Sequence, residues 1–143
     1  MSKSFELLQI NTDGGSRGNP GPAAIGVIAK ANDQTVFTLS EKIGLTTNNV
    51  AEYTAVLKAV EKIISAEITV EKIRFVLDSE LIVKQITGQY KIKQPHLLAL
   101  KTQISDLVAQ ARSMNLIHQV TFTHVLRVLN KEADKLVNEA LDQ

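Results

Sequence analysis

The spacing of apolar residues changes near residue 47, and this change restricts what the chain can fold into. Before it, three short apolar runs (5–12, 23–30 and 35–43) are separated by turns containing Gly, Pro and Asn. Short connections of this kind favour strands joined as an antiparallel meander. Beyond it, apolar residues recur every three or four positions from 48 to 66, which predicts an amphipathic helix.

The remaining segments alternate between the two periodicities. We predict a strand at 73–77, a short helix at 79–87 and a long amphipathic helix that starts at Pro95, a residue suited to the first helical position. A last strand at 118–126 and a C-terminal helix give the order β-β-β-α-β-α-α-β-α. The fold class is therefore α/β, a mixed sheet covered by helices, and its length suits one domain over residues 1–143.

The helix at 48–66 also bears on strand direction. A crossover of this length lets the strand that ends before Asp78 run parallel to the first strand, which is expected to end at Asp13. Ligands of open α/β sheets bind outside the carboxyl ends of such strands. If the two strands are neighbours, Asp13 and Asp78 stand side by side.

Four acidic residues lie at element boundaries or on core-facing stripes: Asp13, Glu52, Asp78 and Asp134. Glu52 shares its helical spacing with the apolar Val56, and Asp134 lies at the edge of the C-terminal apolar stripe. Burying a charge alone is costly, and carboxylates repel one another. Their gathering in one place would therefore predict a site for Mg²⁺ or Mn²⁺, ions that prefer hard oxygen ligands.

Each acid also has an ordinary structural role open to it. Asp13 could belong to a simple turn, and Asp78 could cap the helix that follows it. Asn49 and Glu52 resemble a capping box, and Asp134 could complement a helix dipole. These roles are credible one by one, but four such coincidences are much less probable than one shared site.

Charge and composition limit the partners. The net charge is only +1, yet Leu81–Ser105 carries four lysines and no acid, which permits a phosphate partner without establishing one. The chain has no cysteine, which excludes disulfides and thiolate metal sites. No signal peptide and no apolar run of about 20 residues is visible, so we expect a cytoplasmic protein without a membrane partner.

Four motifs together resemble type 1 ribonuclease H. They are Thr12–Ala23 (TDGGSRGNPGPA), Thr47–Glu52 (TNNVAE), Asp78–Gly88 (DSELIVKQITG) and His124–Arg127 with Asn130, Ala133 and Asp134. Their order and spacing match the family, and the resemblance runs from about Leu7 to Leu141. It implies the family's five-stranded mixed sheet with flanking helices, which agrees with the strand count from periodicity.

The resemblance also implies a reaction. The enzyme would cut the RNA strand of an RNA–DNA hybrid endonucleolytically and leave 3′-hydroxyl and 5′-phosphate ends. Asp13, Glu52, Asp78 and Asp134 would hold two Mg²⁺ ions about 4 Å apart, one activating water and the other stabilising the leaving oxygen. Mn²⁺ is a possible substitute, no organic cofactor is implied, and we expect a monomer.

Further residues match positions that contact substrate in the family: Gly14, Gly15, Ser16, Asn19, Thr47, Asn48 and Glu80. The first three and Glu52 would meet ribose hydroxyls, the groups that distinguish RNA from DNA. Asn19 and Asn48 would reach the minor groove, and Thr47 a phosphate of the DNA strand. For Asn48, simple helix capping is the alternative.

Three departures from the family affect the expected binding. Glu80 stands where many relatives have a glutamine, and a carboxylate cannot donate that hydrogen bond. Leu45 replaces an arginine that some relatives place on the DNA phosphate, and the segment 88–101 is too short for a basic protruding helix. We therefore expect weak and strongly salt-dependent binding to a hybrid.

The group that assists turnover is open between two residues. Some relatives use a histidine in the loop before the last aspartate, and compact relatives use an arginine. Here Arg127 has the matching spacing from Asp134, while His124 falls within the predicted strand. We favour Arg127, with a loop salt bridge as its structural alternative.

Two other functions remain open. The chain could be a nucleic-acid-binding relative with weak or no turnover, although intact carboxylates argue against this. It could also be a related metal-dependent nuclease that acts on another duplex.

Overall fold

Five strands and four helices follow one another in the predicted order in the computed structural model, which describes residues 3–143. The strands are β1 (Ser4–Ser16), β2 (Gly21–Ala31), β3 (Gln34–Thr46), β4 (Thr69–Leu77) and β5 (Ile117–His124). The helices are α1 (Asn48–Ser65), α2 (Glu80–Ile86), α3 (Pro95–Ser113) and α4 (Lys131–Leu141), with a 3₁₀ turn at Arg127–Leu129 before α4. No helix within these residues is long and apolar enough to cross a membrane.

The strands form one mixed sheet in the order β3-β2-β1-β4-β5. β1 pairs antiparallel with β2, and β2 with β3, whereas β1 with β4 and β4 with β5 pair in parallel. The expected fold class and the parallel adjacency of the first and fourth strands are therefore confirmed. The last β1–β4 pair is Asn11 with Val76, two residues before the two aspartates.

Some element ends differ from the prediction. β1 does not end at Asp13 but continues to Ser16, because β2 still pairs with it and places Gly26 opposite Asp13. β4 begins at Thr69 rather than at residue 73, since its first residues pair with both neighbouring strands. β5 ends at His124, and Leu126 beyond it is 68% exposed.

The two faces of the sheet are covered differently. Leu8 and Ile10 of β1 face the main core, which α1 and α3 cover. On the opposite face α4 packs on β2, where Ala24 meets Val137 and Ala140. Because side chains alternate along a strand, the odd-numbered residues of β1 around Asp13 lie on the α4 face.

Two glycines let these helices approach the sheet closely at the level of Asp13. A Cβ at Gly14 would lie 2.2 Å from the Ala51 carbonyl carbon in α1. A Cβ at Gly26 would lie 2.2 Å from the Ala133 carbonyl oxygen in α4. Glu52 and Asp134 follow Ala51 and Ala133 directly, so these contacts bring one acid of each helix to the same level of the sheet.

Candidate active site

An open cleft of about 540 Å³ lies at the end of the sheet where β1 and β4 separate. All four predicted acids line it: Asp13, Glu52, Asp78 and Asp134. Gly14, Gly15, Ser16, Asn48 and Arg127, also predicted from the sequence, line the same cleft. Residues far apart in the chain are thus brought to one place by sheet pairing and by the close helix packing at the two glycines.

Neither Glu52 nor Asp78 caps the helix that its position in the sequence allowed it to cap. Thr47, not Asn49, is the N-cap of α1, and its hydroxyl accepts a hydrogen bond from Val50 N at 3.3 Å. Glu52 is therefore beyond the third helical position, and the capping-box interpretation is wrong. Ser79 caps α2 by accepting from Ile82 N at 3.3 Å, which leaves the Asp78 carboxylate available for other contacts.

The electrostatics of the cleft show crowding of negative charge. Burial and, in decreasing order, the nearby charges of Asp78, Asp134 and Glu52 together raise the pKa of Asp13 to about 8. Burial also raises the pKa of Glu52 to about 7, although a hydrogen bond from Ser79 opposes the rise. Both groups are harder to ionise than ordinary carboxyls. A cation bound in the cleft would favour their ionised forms.

The donor set fits magnesium-type coordination. Within residues 3–143, no three acidic or imidazole groups are close enough together to hold one ion alone. Mg²⁺ is commonly bound by one or two carboxylates, with waters and substrate phosphates completing its octahedral shell. Four carboxylates spread along an open cleft therefore suit ions that are shared between protein and substrate.

A hydrogen-bonded set of polar residues runs from one wall of the cleft to its rim. Asn48 Oδ1 accepts from Ser16 N at 2.8 Å, and Asn19 Oδ1 accepts from Asn48 N at 3.0 Å. The side-chain NH₂ groups of both asparagines make no hydrogen bond within the described chain. Two fixed amide groups thus keep donors available for a ligand.

Known proteins resemble this chain in sequence and in fold. A family described as reverse transcriptase-like matches residues 11–140. Ribonuclease HI of Halobacterium salinarum is 38% identical over 131 residues, and the crystal structure of RNase H1 from that organism superposes with a TM-score of 0.85 at 36% identity, covering 95% of this chain and 98% of that one.

The chain belongs to the type 1 ribonuclease H family. A further member, LC11-RNase H1 in complex with an RNA/DNA hybrid, superposes with a TM-score of 0.84 at 40% identity over 94% of this chain and 96% of that one. The chain spans 62% of the length of the Halobacterium ribonuclease HI. It spans 35% of the mycobacterial proteins that it matches at 40% identity, one of them named bifunctional protein Rv2228c of Mycobacterium tuberculosis.

Four residues predicted from the ribonuclease H resemblance lie outside the cleft lining: Asn19, Thr47, Glu80 and His124. Asn19 and Thr47 lie at its rim, where each accepts a hydrogen bond from a backbone N–H at the N-terminus of α1. Glu80 is exposed and forms an ion pair with Lys84 at 2.8 Å, a contact that lowers the Glu80 pKa.

The two candidate helpers occupy different surroundings. Arg127 lines the cleft, and its charge lowers the pKa of Glu52. His124, at the end of β5, is close enough for its charge to act on Glu80 instead. Of the two candidates, Arg127 is therefore the one that lies in the cleft.

Sequence reasoning did not assign a role to three residues that contact the acids. Ser79 lies near enough to Glu52 to lower its pKa. Asn130 donates to Asp78 Oδ2 at 3.3 Å, and Asn138 Nδ2 donates to Asp134 Oδ2 at 3.5 Å. Ser79 and Asn138 also line the cleft. The position of Asn138 one helical turn after Asp134 is the signal that could have identified it.

Proposed function

We propose that this chain is a metal-dependent endonuclease that hydrolyses the RNA strand of RNA–DNA hybrids and leaves 3′-hydroxyl and 5′-phosphate ends. The observation that carries the proposal is the convergence of Asp13, Glu52, Asp78 and Asp134 on one cleft in a chain of the ribonuclease H family. The hybrid bound by the structurally similar LC11-RNase H1 supports the same class of substrate.

The acids would hold two Mg²⁺ ions. When bound, these ions supply Lewis acidity that activates water and stabilises the leaving 3′-oxygen. Asp13 lies near enough to the other three acids for their charges to raise its pKa. A bound cation would favour its ionised form, so Asp13 would be one of the residues that hold the ions.

Strand selection would come from the polar wall. Ribose 2′-hydroxyls distinguish RNA from DNA, and the segment Gly14–Ser16 borders the cleft beside Asn48. The unused amide donors of Asn19 and Asn48 suit minor-groove acceptors, while the Thr47 hydroxyl can still donate to a phosphate of the DNA strand. These groups are held by backbone hydrogen bonds, so little ordering is needed on binding.

Arg127 would assist the release of product. Its guanidinium lies near Glu52, where it can attract a phosphate that leaves the acidic cleft.

A cleavage assay on end-labelled duplexes tests the proposal. With about 5 to 10 mM Mg²⁺, we expect the wild-type protein to cut the RNA strand of a hybrid at least about 10-fold faster than it cuts duplex RNA or duplex DNA. In EDTA we expect no cleavage of any duplex. Asp78→Asn should abolish cleavage and keep the circular dichroism spectrum, because it removes a charge without changing side-chain size. Preference for another duplex would favour a different nuclease, and binding without cleavage would favour an inactive relative.

A further inference from the structure

Asn130 is a polar side chain buried behind the acidic cleft. It is 1% exposed and lies between the 3₁₀ turn and the first residue of α4. Thr12 and Gln85 are the other buried polar residues within residues 3–143. A buried amide lowers stability unless its groups are hydrogen-bonded, so the partners of Asn130 indicate its role.

The Asn130 side chain joins β1 to the Asp78 carboxylate. Its Oδ1 accepts from Asn11 Nδ2 at 2.9 Å. Its Nδ2 donates to the Thr12 carbonyl oxygen at 2.9 Å and to Asp78 Oδ2 at 3.3 Å. A carbonyl and an ionised carboxylate can only accept, so the amide nitrogen must face them and the oxygen must face Asn11.

The backbone of Asn130 extends this connection to two more cleft residues. Its carbonyl accepts from Asp134 N at 3.2 Å, and its N–H donates to the Arg127 carbonyl at 3.0 Å. One buried residue therefore contacts the residue before Asp13, the carboxylate of Asp78 and the first turn of α4.

We propose that Asn130 is a positioning residue that fixes the rotamer of Asp78 and holds the first turn of α4 against β1, so that the carboxylates of Asp13, Asp78 and Asp134 face the bound cations together. This inference depends on the cation-binding role in the proposed function. A neutral amide suits the task because it donates to Asp78 Oδ2 without adding a positive charge that would compete with the cations.

Two substitutions at Asn130 test the amide in different ways. Asn130→Asp keeps the shape but places an oxygen opposite the acceptors of Thr12 and Asp78. Asn130→Ala leaves the same two acceptors without a donor. Loss of a group that orients a metal ligand typically lowers affinity for the ion 10- to 100-fold, and we expect an effect of about this size on Mn²⁺ binding.

Gln85→Ala is the matched control. Gln85 is also a buried amide, 5% exposed, but its oxygen accepts from Tyr53 Oη at 2.7 Å and contacts none of the four acids. A merely structural role for Asn130 would lower the melting temperature in both alanine variants and leave Mn²⁺ affinity unchanged in both.

The experiment measures Mn²⁺ binding by electron paramagnetic resonance in the absence of nucleic acid, with thermal unfolding recorded for each variant. We expect the Kd to rise about 10- to 100-fold in both Asn130 variants and less than about threefold in Gln85→Ala. Wild-type affinity in a folded Asn130→Ala protein would overturn the inference alone. A wild-type protein that binds no Mn²⁺ either alone or with a nuclease-resistant hybrid present would overturn the proposed function and the inference with it.

A second variant keeps the test decisive if neither Asn130 variant folds. Asn11→Ala removes the donor that orients the Asn130 amide but leaves the amide in place. We then expect a several-fold rise in the Mn²⁺ Kd, and an unchanged Kd in folded Asn11→Ala would contradict the positioning role.

Discussion

The Asp13 carboxyl makes the stability of the cation-free protein depend on pH. Its pKa rises from 3.8 to about 8 on folding, and that of Glu52 rises from 4.5 to about 7. Between about pH 4 and 8 the folded state therefore binds more protons than the unfolded state. The contribution of Asp13 and Glu52 to the free energy of unfolding therefore falls as the pH rises through that range.

Asp13→Asn should relieve this effect. Without divalent ions at pH 8.5, we expect the variant to melt roughly 5 °C above the wild type, and at pH 5 the difference should shrink because Asp13 is then protonated. Thermal unfolding in EDTA at both pH values measures this. Asp106→Asn, on the exposed side of α3, is the control and should change neither melting temperature. Equal wild-type stability at both pH values would contradict the prediction.

Alanine substitution of Arg127 and of His124 should lower turnover to different extents. Arg127→Ala should lower kcat about 10-fold or more, because the cleft loses the cation near Glu52. His124→Ala should lower kcat less, because this side chain lies outside the cleft lining. Steady-state kinetics at saturating hybrid compares the two. A larger fall in His124→Ala would transfer the assisting role to the histidine.

At the scale of elements, close packing of α4 on β2 sets the position of Asp134. Gly26→Ala would place a methyl group against the Ala133 carbonyl oxygen and 2.9 Å from Leu136 Cβ, so α4 must move. We expect a loss of stability of about 2–3 kcal/mol and a lower kcat as Asp134 shifts with the helix. Chemical denaturation and hybrid cleavage measure the two effects.

Gly15→Ala is a suitable stability control for this substitution. The nearest atom to a Cβ at Gly15 is Val137 Cγ1 at 3.7 Å, an ordinary contact distance. Its free energy of unfolding should therefore stay within about 1 kcal/mol of the wild type. A loss as large as that of Gly26→Ala would show that close helix packing is not the cause.

At the scale of the whole molecule, the small net charge of +1 limits affinity for a polyanion. Leu45, at the position where the resemblance led us to expect an arginine in some members, is 79% exposed, and Glu80 holds Lys84 in an ion pair. The remaining affinity should rest on a few phosphate contacts, which release counterions on binding.

Hybrid binding should therefore be weak and salt-dependent. Between ~50 and ~200 mM NaCl we expect the Kd of a hybrid, measured with Asp78→Asn protein to prevent cleavage, to rise about 10-fold or more. Leu45→Arg should tighten binding at low salt, and Leu45→Gln is its uncharged control. A Kd that does not change with salt would contradict this view.

The order of the elements could be predicted from the sequence because hydrophobic periodicity is local. Val56 and Val60 mark the core face of α1 within its own turns, and Pro95 marks the start of α3. The predicted end of β1 and the predicted start of β4 were wrong. Both depend on where a neighbouring strand stops pairing, and that strand can be distant in sequence.

The sequence by itself determined the types of element, the fold class and the four acids at positions where a lone charge is unfavourable. Only the tertiary structure decided that these acids share one cleft, that Thr47 and Ser79 take the capping roles, and that Arg127 rather than His124 lines the site. It also revealed the hydrogen bond from Asn130 to Asp78, which joins residues 52 positions apart. Such a contact exists only after β1, β4 and α4 have packed together, so no local pattern encodes it.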